Sequence, residues 1–468
     1  MKKLVLVLVL FSLSCFAKDS YNIKNSIVKI FTVSSDPVFK QPWTSTVAEA
    51  TGSGVIIKDN LILTNAHVVT HSKFLEVLKN GDTKRYEAKI VSICHDCDLA
   101  LVTVSDKSFF EGTKALKIGK LPNLEEKIAV YGFPMGGETL SITTGVISRI
   151  ENQVYVHSGK SLLAIQIDAP INPGNSGGPA INDGKIVGIV MQGRRLAQNI
   201  GYVIPTTQIK HYLKDVQDGK VDGYPTVGVL IQKMENPAIR EMFKLKNKKY
   251  GVLVNKIMPN SPASGKLKKN DIILEIDGYK VFSNAKVEFR KRLYTKFNYA
   301  MNRHQLGDKL HLKILRDGKQ MSLTLKLTKT YEQLSLIKKK KFHNIATYYI
   351  YGGFVFVPAS LEYKVPDKYF DEFPSKKRDE LVMLYRVLPN ELTKGFSRIR
   401  SAIIDKVDGK KYKNFKDFVS IIEHSKDKYV VFEDENNYKI VLKRDEVQKN
   451  QAKILKRYNI RSYKSDDI

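Results

Sequence analysis

The chain is poor in cysteine, poor in tryptophan and short of acid. Three cysteines and one tryptophan occur in 468 residues, too few cysteines for a fold stapled by disulfides. Its 16 prolines and 29 glycines follow no repeat, which excludes collagenous and low-complexity chains. After residue 17 no run reaches about 18 uncharged apolar residues, so no helical membrane span is expected. Acid is scarce against base: 48 Asp+Glu and 77 Lys+Arg leave a net charge of +29. Such a surplus would suit nucleic acid or an anionic surface. The bases are nevertheless dispersed. Lys338 to Lys341 is the one dense run, and no stretch interleaves bases with aromatics to form a strand-stacking platform. Nucleic acid is therefore not an expected partner, and the charge reads as a solvated lysine-rich surface.

What is present is a multidomain folding chain, with 43% hydrophobic and 10% aromatic residues. Lys2 and Lys3 precede an apolar run over 4–11, and small residues at Ser14 and Ala17 offer a cleavage site. Residues 1–17 thus read as a secretory signal, predicting secretion across the inner membrane into the periplasm. A lipoprotein anchored at Cys15 is the weaker reading, because Ser12 stands where a large aliphatic is wanted. Cys94 and Cys97 remain, in Cys94-His95-Asp96-Cys97. Redox chemistry wants a helix N-terminus, and a zinc site wants two further ligands. The flanking sequence is strand-like on both sides, so a structural disulfide or two unpaired thiols is the reading preferred over metal or redox chemistry, and no metal or cofactor is assigned.

Along the chain, short β-type runs cover 27–33, 54–57, 88–93, 99–104, 128–132, 163–167 and 186–190. Many short strands with few helices indicate a sandwich or a pair of barrels. A helix is expected over 208–216, with Thr207 as N-cap and Gly219 past its end, closing a domain over 18–219. After the linker Asp222, Gly223, Pro225 comes a compact α+β module over 224–330. It has strands at 252–257, 272–276, 310–315 and 321–327, turns at Asp277-Gly278 and Asp317-Gly318, and a helix expected over 285–294. Residues 331–468 repeat it in part. Ile404, Val407, Asp408 and Gly409 stand 131 positions after Ile273, Ile276, Asp277 and Gly278. The fold class is mainly β, with two α+β modules following the first domain.

Three short stretches carry chemistry: Thr64-Asn65-Ala66-His67, Cys97-Asp98-Leu99-Ala100-Leu101 and Gly174-Asn175-Ser176-Gly177-Gly178-Pro179. Serine attacks well only when an imidazole takes its proton, and the imidazole needs a carboxylate to set its tautomer. Glycines around Ser176 permit a tight turn that exposes the hydroxyl and aims the Gly174 and Ser176 amides at one point, where an oxyanion would form. Each stretch alone is weak. Together, in the order His, Asp, Ser within a strand-rich domain, they follow the chymotrypsin order.

With those residues in place, the sequence resembles the HtrA/Deg (DegP-like) family of serine proteases. Thr51-Gly52-Ser53-Gly54, Gly145-Val146-Ile147-Ser148, Ala169-Pro170-Ile171-Asn172-Pro173 and Gly201-Tyr202-Val203-Ile204-Pro205 resemble further segments of its protease domain. Gly251-Val252-Leu253-Val254 and Asn270-Asp271-Ile272-Ile273 resemble a PDZ domain, and Glu235-Asn236-Pro237 with Val287-Glu288-Phe289-Arg290 resembles the plant-type Deg branch. The resemblance implies a chymotrypsin-like double barrel followed by two PDZ-like domains, the second divergent. It implies His67 as general base, Asp98 as its orienting acid, Ser176 as nucleophile, and Gly174 and Ser176 as oxyanion donors. Asp168 reads as a structural acceptor, since the triad already has its acid. No carboxylate lies in 169–173 to pair a cation, so Ile171 and Asn172, facing Ile189 and Met191, should form a small apolar pocket for an aliphatic residue. Val227, Gly228 and Val229 match the carboxylate-binding loop of the first PDZ. The implied activity is an exported endopeptidase acting on unfolded or misfolded polypeptides in quality control, with a peptide ligand for the first PDZ and assembly as a homo-oligomer, a trimer or a multiple of three. The competing reading is a catalytically silent PDZ-containing chaperone or scaffold.

Overall fold

The computed structural model describes residues 23–193, 200–245, 249–338, 346–396 and 398–468. The signal segment and Cys15 lie outside them. The chain divides into two compact units, the first made of the described residues up to Ser34 and those within Ala48–Ile257 and Ser261–Thr330.

In the first unit, strands β1 (Ile27–Pro37), β2 (Ser45–Ile57), β3 (Leu61–Thr64), β4 (Ser72–Lys79), β5 (Tyr86–Cys94) and β6 (Leu99–Val104) close a barrel in the order β1-β2-β3-β6-β5-β4. A second barrel follows from β7 (Lys127–Gly132), β8 (Ser141–Val154), β9 (Ser161–Ile167), β10 (Pro179–Asn182), β11 (Lys185–Gly193) and β12 (Gly201–Pro205), ordered β10-β11-β12-β9-β8-β7. Closure removes the exposed edges that short strands would otherwise present. Val28, Ile30, Ile62, Val77 and Val102 fill the first barrel; Val130, Ile147, Ile165, Val190 and Val203 fill the second. The helix Thr206–Asp215 follows the last strand, continued by a 3-10 turn that ends at Gly219 with φ +82°. Pro205, not Thr207, is its N-cap.

The α+β module has a sheet ordered β13 (Val229–Lys233), β14 (Val252–Ile257), β15 (Ile272–Ile276), β19 (Lys309–Arg316), β20 (Lys319–Lys326), with β16 (Tyr279–Lys280) beside β15. Both Asp-Gly turns are present, with Asp277 at φ +44° and Asp317 at φ +50°. The helix expected over 285–294 is not. There the chain forms a hairpin of β17 (Lys286–Arg290) and β18 (Leu293–Lys296). The reason lies in the period: Val287 and Phe289 are buried while Lys286 and Glu288 are exposed, an alternation of two that only a strand satisfies. Phe289 meets Tyr299 of the same module at 5.3 Å, and the hairpin also docks on the second barrel. Thr295 accepts from the Asn152 amide at 2.9 Å, and Arg290 donates to the carbonyls of Leu121 at 2.7 Å and Pro122 at 2.5 Å.

The second unit holds Tyr331–Ile468 together with Ser35–Val47 and Met258–Asn260. Its sheet runs in chain order through strands Tyr349–Tyr351, Phe354–Pro358, Val382–Val387, Ala402–Val407, Tyr429–Asp434 and Lys439–Lys443. The helix Phe415–His424, capped by Asn414, packs Phe415, Phe418 and Ile422 onto it. The lone tryptophan, Trp43, meets Tyr348 edge-on at 6.2 Å. Among the described residues no helix is long and apolar enough to cross a membrane.

Candidate active site

His67 sits in a one-turn helix, Ala66–Val69, at the end of β3, with Asn65 in extended backbone as its N-cap. Asp98 lies just before β6 with φ +53°, a conformation Asp tolerates better than most residues. The two are joined twice. Asp98 accepts from the His67 backbone amide at 2.9 Å and from Nδ1 through Oδ2 at 2.8 Å. Asn65 Nδ2 donates to the Asp98 carbonyl at 2.9 Å. The Asp98 side chain is 2% exposed and that of His67 34%, so the imidazole is held from behind and open on its other edge. Burial by itself would lower the His67 pKa; the charge and hydrogen bond of Asp98 outweigh it and hold the pKa above the usual 6.5. This polarity lets Nδ1 keep its proton while Nε2 takes one from a nucleophile.

Ser176 stands on the loop before β10, and its backbone is fastened to the first barrel. The Ser53 amide donates to the Ser176 carbonyl at 2.8 Å, and Ser53 Oγ donates to the Gly174 carbonyl at 2.8 Å while accepting from the Phe133 amide at 2.8 Å. Gly177 has φ +84°, and a Cβ there would collide with Ser53 O and Thr64 Oγ1, next to the His67 turn. Gly174 has φ +98° and lies tight against Phe133 O. The Pro173 carbonyl accepts from the Met135 amide at 2.7 Å, which turns the following Gly174 N–H the opposite way, as a trans peptide requires. Among the described residues neither the Gly174 nor the Ser176 amide donates an internal hydrogen bond, so both remain available to a developing oxyanion. Ser176 Oγ itself donates to Met191 O at 3.4 Å rather than to His67. Hydrogen bonds between a nucleophile and its base often tighten only around substrate.

The remaining sequence-derived residues fall as follows. Asp168 accepts from the Val146 amide at 2.6 Å, a structural bond. Ile171 is half-buried and rests on the backbone of Gly201 in β12, while Asn172 is exposed. Ile189 and Met191 are buried, at 0% and 3% exposure, in a cluster that joins residues of both barrels rather than in the second barrel's core with Val190. Cys94 and Cys97 form a buried disulfide. Val227 is buried and Val229 opens the edge strand β13; between them Gly228 has φ +77° and its amide donates to Thr226 Oγ1 at 3.2 Å. Among the described residues no cluster of metal-ligating side chains occurs.

Family models match a trypsin-like peptidase domain at residues 52–189 and PDZ domains at 241–327 and 337–467. Protease Do-like 2, chloroplastic, of Arabidopsis thaliana is 37% identical over 98% of this chain and 79% of its own length. Protease Do-like 4, mitochondrial, of the same plant is 39% identical over 85% of this chain and 77% of its length. The chain belongs to the HtrA/Deg family of serine proteases. Solved structures of the HtrA-type protease AlgW with a tripeptide and with a decapeptide share the fold, with TM-scores of 0.53 and 0.51 at 23% identity, covering 67% of this chain and 96% and 98% of theirs. As in the sequence reading, the HtrA/Deg protein is a mainly β double barrel followed by PDZ domains. Ser53 and Asn65 were not singled out from sequence. Ser53 lies inside the glycine-rich stretch before β3, but its bonds to Gly174 and Phe133 span 121 and 80 residues, which no local pattern records.

Proposed function

We propose that this serine protease is an endopeptidase in which Ser176 attacks the scissile carbonyl, His67 takes and returns the proton, Asp98 fixes the imidazole, and the Gly174 and Ser176 amides hold the oxyanion. The observation that carries the reading is the doubly bonded His67–Asp98 pair at the end of β3, the strand whose Thr64 Oγ1 lies against Gly177 of the glycine-bounded serine turn. The substrate is an unfolded or misfolded polypeptide cut after a small or medium aliphatic residue. Ile171 against Gly201 supports a shallow apolar site, and a lysine or arginine head would be desolvated there without a carboxylate to meet it. The first PDZ takes a peptide along the edge of β13, although Thr226 already occupies one amide of its anion loop. The protein is exported and acts as a homo-oligomer in quality control. The basic and apolar start of the chain and the buried Cys94–Cys97 disulfide support an oxidising compartment.

The deciding experiment is fluorophosphonate labelling. The wild-type chain is expected to react and Ser176→Ala to stay unlabelled; labelling of both refutes the assignment. Mass spectrometry of casein fragments tests the pocket: cuts after Val, Ala, Ile or Leu are expected, and a majority after Lys or Arg overturns it. N-terminal sequencing of exported protein is expected to begin at Lys18.

A further inference from the structure

The turn between β8 and β9 belongs to the second barrel, yet its polar groups are spent on the loop of the first barrel that carries Asp98. Ser158 Oγ donates to the Asp96 carbonyl at 2.9 Å. Lys160 Nζ ion-pairs with the Asp96 carboxylate, the two side chains being 13% and 27% exposed. His157 Nε2 and His95 Nδ1 share a hydrogen bond at 3.0 Å, and the His157 ring centroid lies 6.3 Å from that of His67. Lys160 also stands 5.6 Å above the ring of Tyr224, in the linker toward the first PDZ. Three contacts from one turn thus converge on the residues closed by the Cys94–Cys97 disulfide, immediately before Asp98.

Asp96 is two residues from Asp98. The Asp98 carboxylate, whose charge and hydrogen bond raise the His67 pKa, acts in full only while its loop holds it on Nδ1. We propose that Lys160 is a positioning residue: through Asp96 it holds the Asp98 loop against His67. The proposal rests on the His67–Asp98–Ser176 reading. The titratable and charged groups that face this site are Asp98 on its own loop, His95 beside Asp96, His157 and Tyr155 on the turn, Tyr224 on the linker, and His211 on the helix Thr206–Asp215, stacked on Tyr224.

The test is the pH profile of casein cleavage by the mature chain at low ionic strength, where charge effects are least screened. Lys160→Met is expected to lower kcat about tenfold with KM little changed, and to lower the acid-limb midpoint by about half a unit, because a loosened Asp98 raises the His67 pKa less. Asp96→Asn removes the same tie and is expected to shift rate and midpoint in the same directions. Lys160→Arg restores both rate and midpoint. A loss of stability alone would lower the active fraction without moving the midpoint. Unmoved or raised midpoints overturn the proposal; if Lys160→Met does not fold, the shift in Asp96→Asn decides alone. Fluorophosphonate labelling, with its loss in Ser176→Ala, is read on the same preparations. If labelling persists in Ser176→Ala, the triad reading fails; if labelling is as expected but the midpoints do not move, only the role of Lys160 fails.

Discussion

The two barrels have the same strand count and closure but contribute opposite kinds of parts. The first supplies His67 and Asp98 already paired, with Asp98 2% exposed, its carbonyl bonded to Asn65 and a disulfide one residue away. The second supplies Ser176 on a loop whose hydroxyl faces Met191 O. A buried carboxylate costs several kcal/mol unless its partners are in place beforehand, so that half must be built into strand ends and a capped turn. A neutral serine hydroxyl can change rotamer cheaply, so it tolerates a loop. Its backbone cannot vary in the same way, which is why Ser53 of the first barrel clasps it through Gly174 and Ser176.

If the prepared pair matters most, Asp98→Asn should have the largest effect, lowering kcat about 10⁴-fold because the amide no longer enforces the Nδ1–H tautomer. A loss under tenfold in folded protein would mean the pair is not the base. On the serine side, Gly174→Ala forces a Cβ at φ +98° against Phe133 O and should cost about 10²- to 10³-fold in kcat by displacing an oxyanion donor, with KM nearly unchanged. Steady-state kinetics distinguish the two. The clasp between the halves is tested by Ser53→Ala, which strands the buried Phe133 amide and Gly174 carbonyl. It should destabilise the protein by about 1–3 kcal/mol in urea unfolding, and activity should fall before global unfolding.

The smallest effect is a displacement in pH. Neutral His67 is the active form and its pKa is raised above 6.5, so kcat/KM should rise through a midpoint above pH 6.5 and be lost below it. A midpoint at or below 6.5 would show that Asp98 does not outweigh burial. A separate stability limb is expected from His211, stacked 4.3 Å from Tyr224 and depressed to about 4 chiefly by burial. The unfolded chain binds this proton first, so stability present above pH 6.5 should fall as pH drops toward 4. Unfolding measured across that range in wild type and His211→Gln separates it from the catalytic limb.

Much of the fold was legible because its signals are local. Runs over 99–104 and 128–132 alternate or cluster as strands do and appear as β6 and β7, and the Asp-Gly pairs at 277, 317 and 408 all take the left-handed backbone that tight hairpins need. The repeat between residues 273–278 and 404–409 marks a shared strand and turn, but the two modules then diverge. Residues 415–424 form a helix, whereas 286–296 form a hairpin that docks on a barrel. Alternation at Val287 and Phe289 was readable; what they pack against was not.

By itself the sequence determined which residue types were available for chemistry, where strands and turns fall, and that Ser176 sits among glycines. Its motifs reached His67, Asp98 and Ser176 one at a time. Only the tertiary structure decided that Asp98 meets both the backbone and the ring of His67, that Ser53 clasps the Ser176 loop from the other barrel, and that Lys160 lies against Asp96, 64 residues away. Turn propensity and periodicity are set by neighbours along the chain, whereas ion pairs and hydrogen bonds depend on separations of a few ångströms that barrel closure alone brings about.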